Sequence, residues 1–243
     1  MPVASVTYEF LEPGRAVARA GATSRVYDAL REAIVSLEFR PGEALDKQAI
    51  ALRLGVSRFP VGEAMTRLSA EGLVDVIPQS GSRVALIKIS DARENMFLRR
   101  ALEAEAVRRL APIGDPALIA ALGQNLGYQR VAIVSNDSMG FHRFDLGFHA
   151  ILLDWLGFER VRKAADTARL GLERVRRLLN SRRRMDDTLA EHVAIAQALE
   201  TRDADAAAKA VEAHLGAVMT ELESFARQKP ELFADLTAGS ETA

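Results

Sequence analysis

One stretch restricts the fold of this chain more than any other: IALRLGVSRFPVGEAMTRLSAEGLVDVIPQSG, Ile50 to Gly81. Its spacing predicts a short helix ending at Leu54, a tight turn at Gly55, and a second helix from Ser57 to about Ala70. Ser57 can cap that second helix with its hydroxyl, and Pro60 falls in the first turn, where a missing N–H does little harm. Val61, Met65 and Leu68 recur at i, i+4 and i+7, a stripe that faces a core. Gly72 stops the helix. An extended pair follows, Leu73–Ile77 and Arg83–Ile87, joined around Ser80-Gly81. Helix, glycine turn, helix and small hairpin make the outline of a winged helix-turn-helix.

Arg58 and Thr66-Arg67 lie off the apolar stripe, so a DNA groove can meet them; solvated arginines on an ordinary helical hairpin are the plainer alternative. Lys47 and Gln48 open the preceding helix, which Asp46 is placed to cap. Gly81 at the wing tip lets backbone approach DNA closely, and Arg83 follows it. The expected DNA-contacting set is therefore Lys47, Gln48, Ser57, Arg58, Arg67, Gly81 and Arg83, with Arg53 also nearby.

The same region is similar to the DNA-binding domain of the GntR family of bacterial transcription regulators. The resemblance rests on Arg40-Pro41-Gly42-Glu43, Leu52 through Val61, Leu68 through Val74 and Gly81-Ser82-Arg83-Val84. It implies a DNA-reading function for about Thr23 to Lys88. In the family an arginine that contacts DNA usually follows the Pro-Val pair, but this chain has Gly62. Glycine inside a helix is unfavourable by about 1 kcal/mol against alanine, which asks for a structural reason.

Length and composition set the frame. The chain has 243 residues, enough for one large or two small domains, and its 49% hydrophobic and 6% aromatic content leans towards packed helices. It has no cysteine, which excludes disulfides and thiolate metal sites. No stretch approaches the ~20 apolar residues of a membrane span, and no signal peptide is visible, so a cytoplasmic location without membrane contact is expected. The net charge of -1 gives no general attraction to nucleic acid, so DNA binding depends on local placement and on doubling in a homodimer.

Four segments are expected: a flexible arm over 1–22, the winged domain over 23–89, a helical domain over 90–229 and a frayed tail over 230–243. The first helix starts at Thr23 or Ser24. The alternation of Val6, Tyr8 and Phe10 leaves room for an added strand. Beyond Ser90 the pattern is helical, with helices over 90–110, 115–134, 138–156, 159–179, 185–200 and 203–227. The chain is thus read as mainly α, with an all-α bundle of about six helices at its C-terminal side.

All four histidines lie in that bundle: His142, His149, His192 and His214. Asp145 and His149 share a helix face at i, i+4 spacing, and Leu152 and Leu156 continue that face inward. His192 lines up with Leu189, Ala196 and Leu199, and His214 with Val211 and Val218. Two readings follow: hydrogen-bonded core histidines, or a sulfur-free site for Zn2+, Ni2+ or Mn2+. Glu191 adjoins His192 but is expected on another face. The runs Arg174-Val175-Arg176-Arg177 and Arg182-Arg183-Arg184 read as a solvated helix face and a turn rather than a second nucleic-acid site.

Arg99-Arg100-Ala101-Leu102-Glu103, Asp145 through His149, Glu191 through Ile195 and Asp203 through Leu215 resemble the effector domain of the FadR subfamily, known as FCD. That resemblance implies metal ligands Asp145, His149, His192 and His214, with zinc foremost. It implies a small organic acid effector, for which Arg99 is the candidate partner, and leaves His142 at the surface or behind the ligands. Phe158 stands where the family commonly has asparagine, which leaves the effector's identity open. The function expected is a ligand-responsive regulator, a repressor and homodimer reading double-stranded operator DNA. The rivals are a metal-dependent hydrolase, for which no positioned general base is visible, and a ligand-binding regulator with weakened DNA binding.

Overall fold

The computed structural model describes residues 8–12, 21–77, 79 and 81–236. The chain forms two compact units. One runs to Ile89 and takes in the chain again from Gln228; the other is Ser90–Arg227.

The first unit opens with α1 (Ala22–Val35), one residue before the expected start, with Gly21 at its N-cap. A two-residue strand that the sequence pattern does not reveal, β1 (Ala44–Leu45), comes next. In α2 (Lys47–Leu54) the Asp46 carboxylate accepts from Gln48 N at 2.8 Å and Ala49 N at 3.1 Å, satisfying two of the helix's open donors. Gly55 ends α2 at φ 65, a left-handed conformation suited to glycine. In α3 (Arg58–Ala70) Ser57 is the N-cap residue, yet its hydroxyl makes no capping bond. The strands β2 (Val74–Ile77) and β3 (Gly81–Val84) pair antiparallel, with Val74 opposite Val84 and Ile77 opposite Gly81. β1 joins the free edge of β3, so the sheet order is β1-β3-β2.

The core of this unit is apolar. Leu30, Ile34 and Phe39 pack with Ile50, Val61, Ala64 and Leu68, all fully buried, and Val26, Met65 and Val84 complete it. Burial of each large side chain contributes about 1.5–3 kcal/mol.

Two terminal pieces belong to the same unit. The described part of the expected flexible arm, 8–12, forms a turn with Tyr8 and Leu11 each 2% exposed. It is no strand: the turn puts Tyr8 and Leu11 inward, while Phe10 packs edge-on to Phe39 at 4.9 Å. Arg53 holds it, donating Nε to Leu11 O at 2.8 Å and Nη2 to Glu9 O at 2.6 Å, which occupies the guanidinium that the sequence offered to DNA. Val6 and the rest of the arm lie outside the described residues.

At the other end, Pro230–Leu232 form a short 3-10 turn and Phe233 is buried. Ile87 N donates to Leu232 O at 3.0 Å, and Ala234 N donates to Ile87 O at 2.9 Å. The Asp235 carboxylate accepts from Ile89 N at 2.8 Å. The strand expected over Arg83–Ile87 runs over Gly81–Val84 instead, starting two residues earlier, and Ile87 pairs with Phe233. The expected frayed tail is thus tied down as far as Asp235, and 237–243 lie outside the described residues.

The second unit is helical, with α4 (Ile89–Leu110), α5 (Pro116–Val134), α6 (Ser138–Leu156), α7 (Glu159–Leu170), α8 (Glu173–Leu178), α9 (Arg182–Glu200) and α10 (Ala204–Gln228). Asp115 caps α5 ahead of Pro116, and Asp137 caps α6. The expected helix over 159–179 is two helices, broken at Gly171. A Cβ there would meet the end of the Asn95 side chain on α4, with Nδ2 at 2.4 Å, and Leu172 turns into the core. Ser181 caps α9 through Arg184 N at 3.2 Å, starting it earlier than Met185.

Candidate functional site

The helical unit buries a polar cluster at its centre. α6 supplies Asp145 and His149, α9 supplies His192 and α10 supplies His214, each 2% exposed or less. Each offers one ligand atom, and the four atoms lie within 4.8 Å of one another. His149 Nε2 is 3.3 Å from His214 Nε2. Asp145 Oδ1 is 3.6 Å from His192 Nε2 and 3.8 Å from His149 Nε2.

The outward-facing ring nitrogens explain why the inward ones converge. His149 Nδ1 lies 2.7 Å from Glu103 Oε2. His192 Nδ1 lies 3.0 Å from Gln129 Oε1, whose amide is oriented by donating to Asn125 Oδ1 at 2.7 Å. His214 Nδ1 lies 2.6 Å from Glu191 Oε2. The Nδ1 atoms of His192 and His214 hydrogen-bond their acceptors, and that of His149 lies beside a carboxylate without an aligned hydrogen bond. With the proton on Nδ1, each Nε2 presents a lone pair. Phe148 stacks on His192 at 4.1 Å and fixes that ring's plane.

Burial keeps the rings neutral. It pushes His149 down to about 4 against the opposing charge of Glu103, and it pushes His192 and His214 well below the usual histidine range. Burial opposes ionisation of Glu103, but Arg99 and His149 outweigh it and hold the carboxyl well below its usual range. Three neutral imidazole lone pairs and a carboxylate oxygen thus share a space with nothing positive between them. Asp145 Oδ1 and His192 Nε2 have no hydrogen-bond partner. Such a set is unfavourable alone and favourable around a cation. Three nitrogens and one oxygen, without sulfur, fit Zn2+ or a similar ion, and acceptors behind each histidine are the usual support of such ligands.

Arg99 is 1% exposed and donates Nε to Glu103 Oε1 at 2.8 Å along its own helix, so it forms no surface ion pair. Its Nη2 has no hydrogen bond. Arg176 pairs with the Asp145 carboxylate. Burial, helped by the charge of Arg99, lowers its guanidinium to about 9. The arginine runs are solvated only in part: Arg182 and Arg183 are exposed, with Arg182 donating to Ile133 O at 2.7 Å, whereas Arg176 serves the cluster and Arg184 pairs with Glu191. His142 meets Glu173 at 2.8 Å, a separate pair.

Sequence reasoning missed Glu103, Gln129, Glu191 and Arg176 as supports. Glu103 stood in a motif without a role. Glu191 does point away from His192, as its spacing requires, and that direction takes it to His214. For Gln129 no local signal exists.

In the first unit Arg58 and Phe59 are exposed at the start of α3. Ser57, Gln48 and Arg83 are exposed as well, and Lys47 is half-buried. Gly81 adopts φ 93 at the wing tip, where glycine is needed. Arg67 has another occupation: its guanidinium lies 4.0 Å over the Tyr27 ring, whose hydroxyl donates to Glu71 at 2.6 Å. No structural reason holds Gly62, since a Cβ there would meet nothing within 4 Å.

A three-stranded winged helix-turn-helix followed by a helical unit with a buried histidine cluster is the organisation of a DNA-binding transcription regulator. The bacterial regulatory protein family gntR matches residues 22–84, and the FCD domain matches residues 94–217. The chain belongs to the GntR family and carries an FCD domain. It is 35% identical over 217 residues to an HTH-type transcriptional regulator in an unstable DNA locus of Streptomyces ambofaciens, covering 88% of this chain and 91% of the relative. It is 29% identical over 212 residues to the HTH-type transcriptional repressor RspR of Escherichia coli, covering 87% and 93%. Among solved structures, a GntR transcriptional regulator from Rhodococcus matches with TM-score 0.65 and 26% identity, covering 83% of this chain and 97% of that one.

Proposed function

We propose that this regulator is a metal-supported repressor that binds operator DNA as a cytoplasmic homodimer and responds to a small carboxylate. The observation that carries the reading is the convergence of three histidine Nε2 atoms and one Asp145 oxygen within 4.8 Å, while every Nδ1 lies beside an acceptor. Asp145, His149, His192 and His214 would hold the ion, zinc first. When bound, the ion offers a Lewis-acid centre to a carboxylate. Arg99, with its unused buried Nη2, supplies the matching guanidinium. The repressor sense is supported by the relative named as a repressor. At the DNA side Arg58 is the leading contact, with Lys47, Gln48, Ser57, Gly81 and Arg83 around it; Arg67, engaged by Tyr27, ranks last.

The ligand acts only by binding one arrangement of the protein better than another, so its effect on DNA binding equals that difference in affinity. The test is metal analysis of untagged protein purified without chelator. About one zinc per chain, lost in His149→Ala, is the expected result; a folded protein that takes up no ion when offered zinc, nickel or manganese would sink the metal reading. Arg58→Ala should weaken binding to a selected operator by about 1–3 kcal/mol, and unchanged binding would remove Arg58 from the interface.

A further inference from the structure

Two arginines beside the cluster keep donors that nothing in the protein uses. Arg99 on α4 is 1% exposed and Arg169 on α7 is 5% exposed. Arg99 leaves Nη2 without a hydrogen bond. Arg169 gives only Nη1 to Asp166, at 3.4 Å, and leaves Nε and Nη2 without one. α4 and α7 pack together, Leu102 and Ala106 of one against Val161 and Ala165 of the other, and the charges of Arg99 and Arg169 both reach His149. A buried donor with no partner is costly, and a buried charge more so.

The carboxylates already present leave these donors unused. Glu103 takes Nε of Arg99, and Asp145 pairs with Arg176. Asp166, which touches Arg169, is largely shared with Arg162 and is 41% exposed. One carboxylate would satisfy one fork of donors; two would answer both unused guanidinium groups. Guanidinium and carboxylate match as paired donors and acceptors, which a lysine cannot reproduce.

We propose that the effector is a compact dicarboxylate, one end received by Arg99 and the other by Arg169, so that Arg169 sets the preference for dianions over monoanions. This rests on the reading that a small carboxylate enters beside the metal. Arg169 lies in none of the segments that pointed to the site in the sequence; it is buried in the last turn of α7, ahead of the Gly171 break.

Calorimetric titration of full-length, zinc-loaded protein with matched pairs tests it: succinate against butyrate, and malate against 2-hydroxybutyrate. The dicarboxylates should bind at least about ten-fold tighter. Arg169→Gln should bring each pair within about two-fold by weakening the dicarboxylate alone, with zinc content and monocarboxylate affinity unchanged. Arg169→Lys should recover part of the preference. Equal binding of both members of each pair by the unaltered protein would overturn the proposal and leave the carboxylate reading standing. Failure of all four acids to bind zinc-loaded protein would overturn both. A preference that survives Arg169→Gln would remove Arg169 from the site.

Discussion

The two units bury opposite kinds of interior. Among the described residues, the helix-turn-helix unit buries one polar side chain, Ser82, beneath an otherwise apolar core. The helical unit buries Arg99, Glu103, Asn125, Gln129, Asp145, His149, Arg169, Glu173, Thr188, His192 and His214. The first interior is closed by hydrophobic burial, with the Ser82 hydroxyl the one buried side-chain group there without a hydrogen bond among the described residues. The second sets histidine and carboxylate acceptors and guanidinium donors inside a helical unit, several of them without a hydrogen bond.

The largest effect should separate the units most clearly. Removing zinc from protein held at about 1,000 times its dissociation constant should withdraw about 4 kcal/mol from the helical unit. Hydrogen exchange should then quicken in α6, α9 and α10 and stay unchanged in α1–α3; equal loss in both would break the contrast. Leu68→Ala does the reverse. It should destabilise the helix-turn-helix unit by about 2–5 kcal/mol, read from denaturant melts, with zinc content untouched. Glu103→Gln should lower zinc affinity by about 10–100-fold while the ion still binds, measured by competition with a chelating dye; full affinity would mean Glu103 only neutralises Arg99. The smallest effect is a gain: Gly62→Ala should stabilise the first unit by up to about 1 kcal/mol, because nothing crowds the new methyl.

The same contrast explains what could be read from sequence. Periodicity alone places His149, His192 and His214 on the apolar faces of their helices; their grouping with Asp145 as one ligand set came from the resemblance to the FCD domain. Their partners were not legible. Gln129 reaches His192 from α5, and Glu191 reaches His214 from α9, so each role depends on how a neighbouring helix is rotated. The winged unit was legible because glycines and the apolar stripe act locally: Gly55 closes α2, and Leu68 sits where its period puts it. The break at Gly171 was hidden because Leu172 leaves the helix for a core that other helices build. The pairing of Phe233 with Ile87 was hidden for a like cause, since Pro230 read only as a helix stop.

That last pairing bears on the order in which the molecule is made. A ribosome delivers the chain from its N-terminus, so α1, α2, α3 and the sheet emerge early. The strap that covers Ile87 and answers the Ile89 amide comes from 232–235. The helix-turn-helix unit, whose first elements precede the helical unit in the chain, therefore receives these hydrogen bonds only after every helix of that unit has been translated.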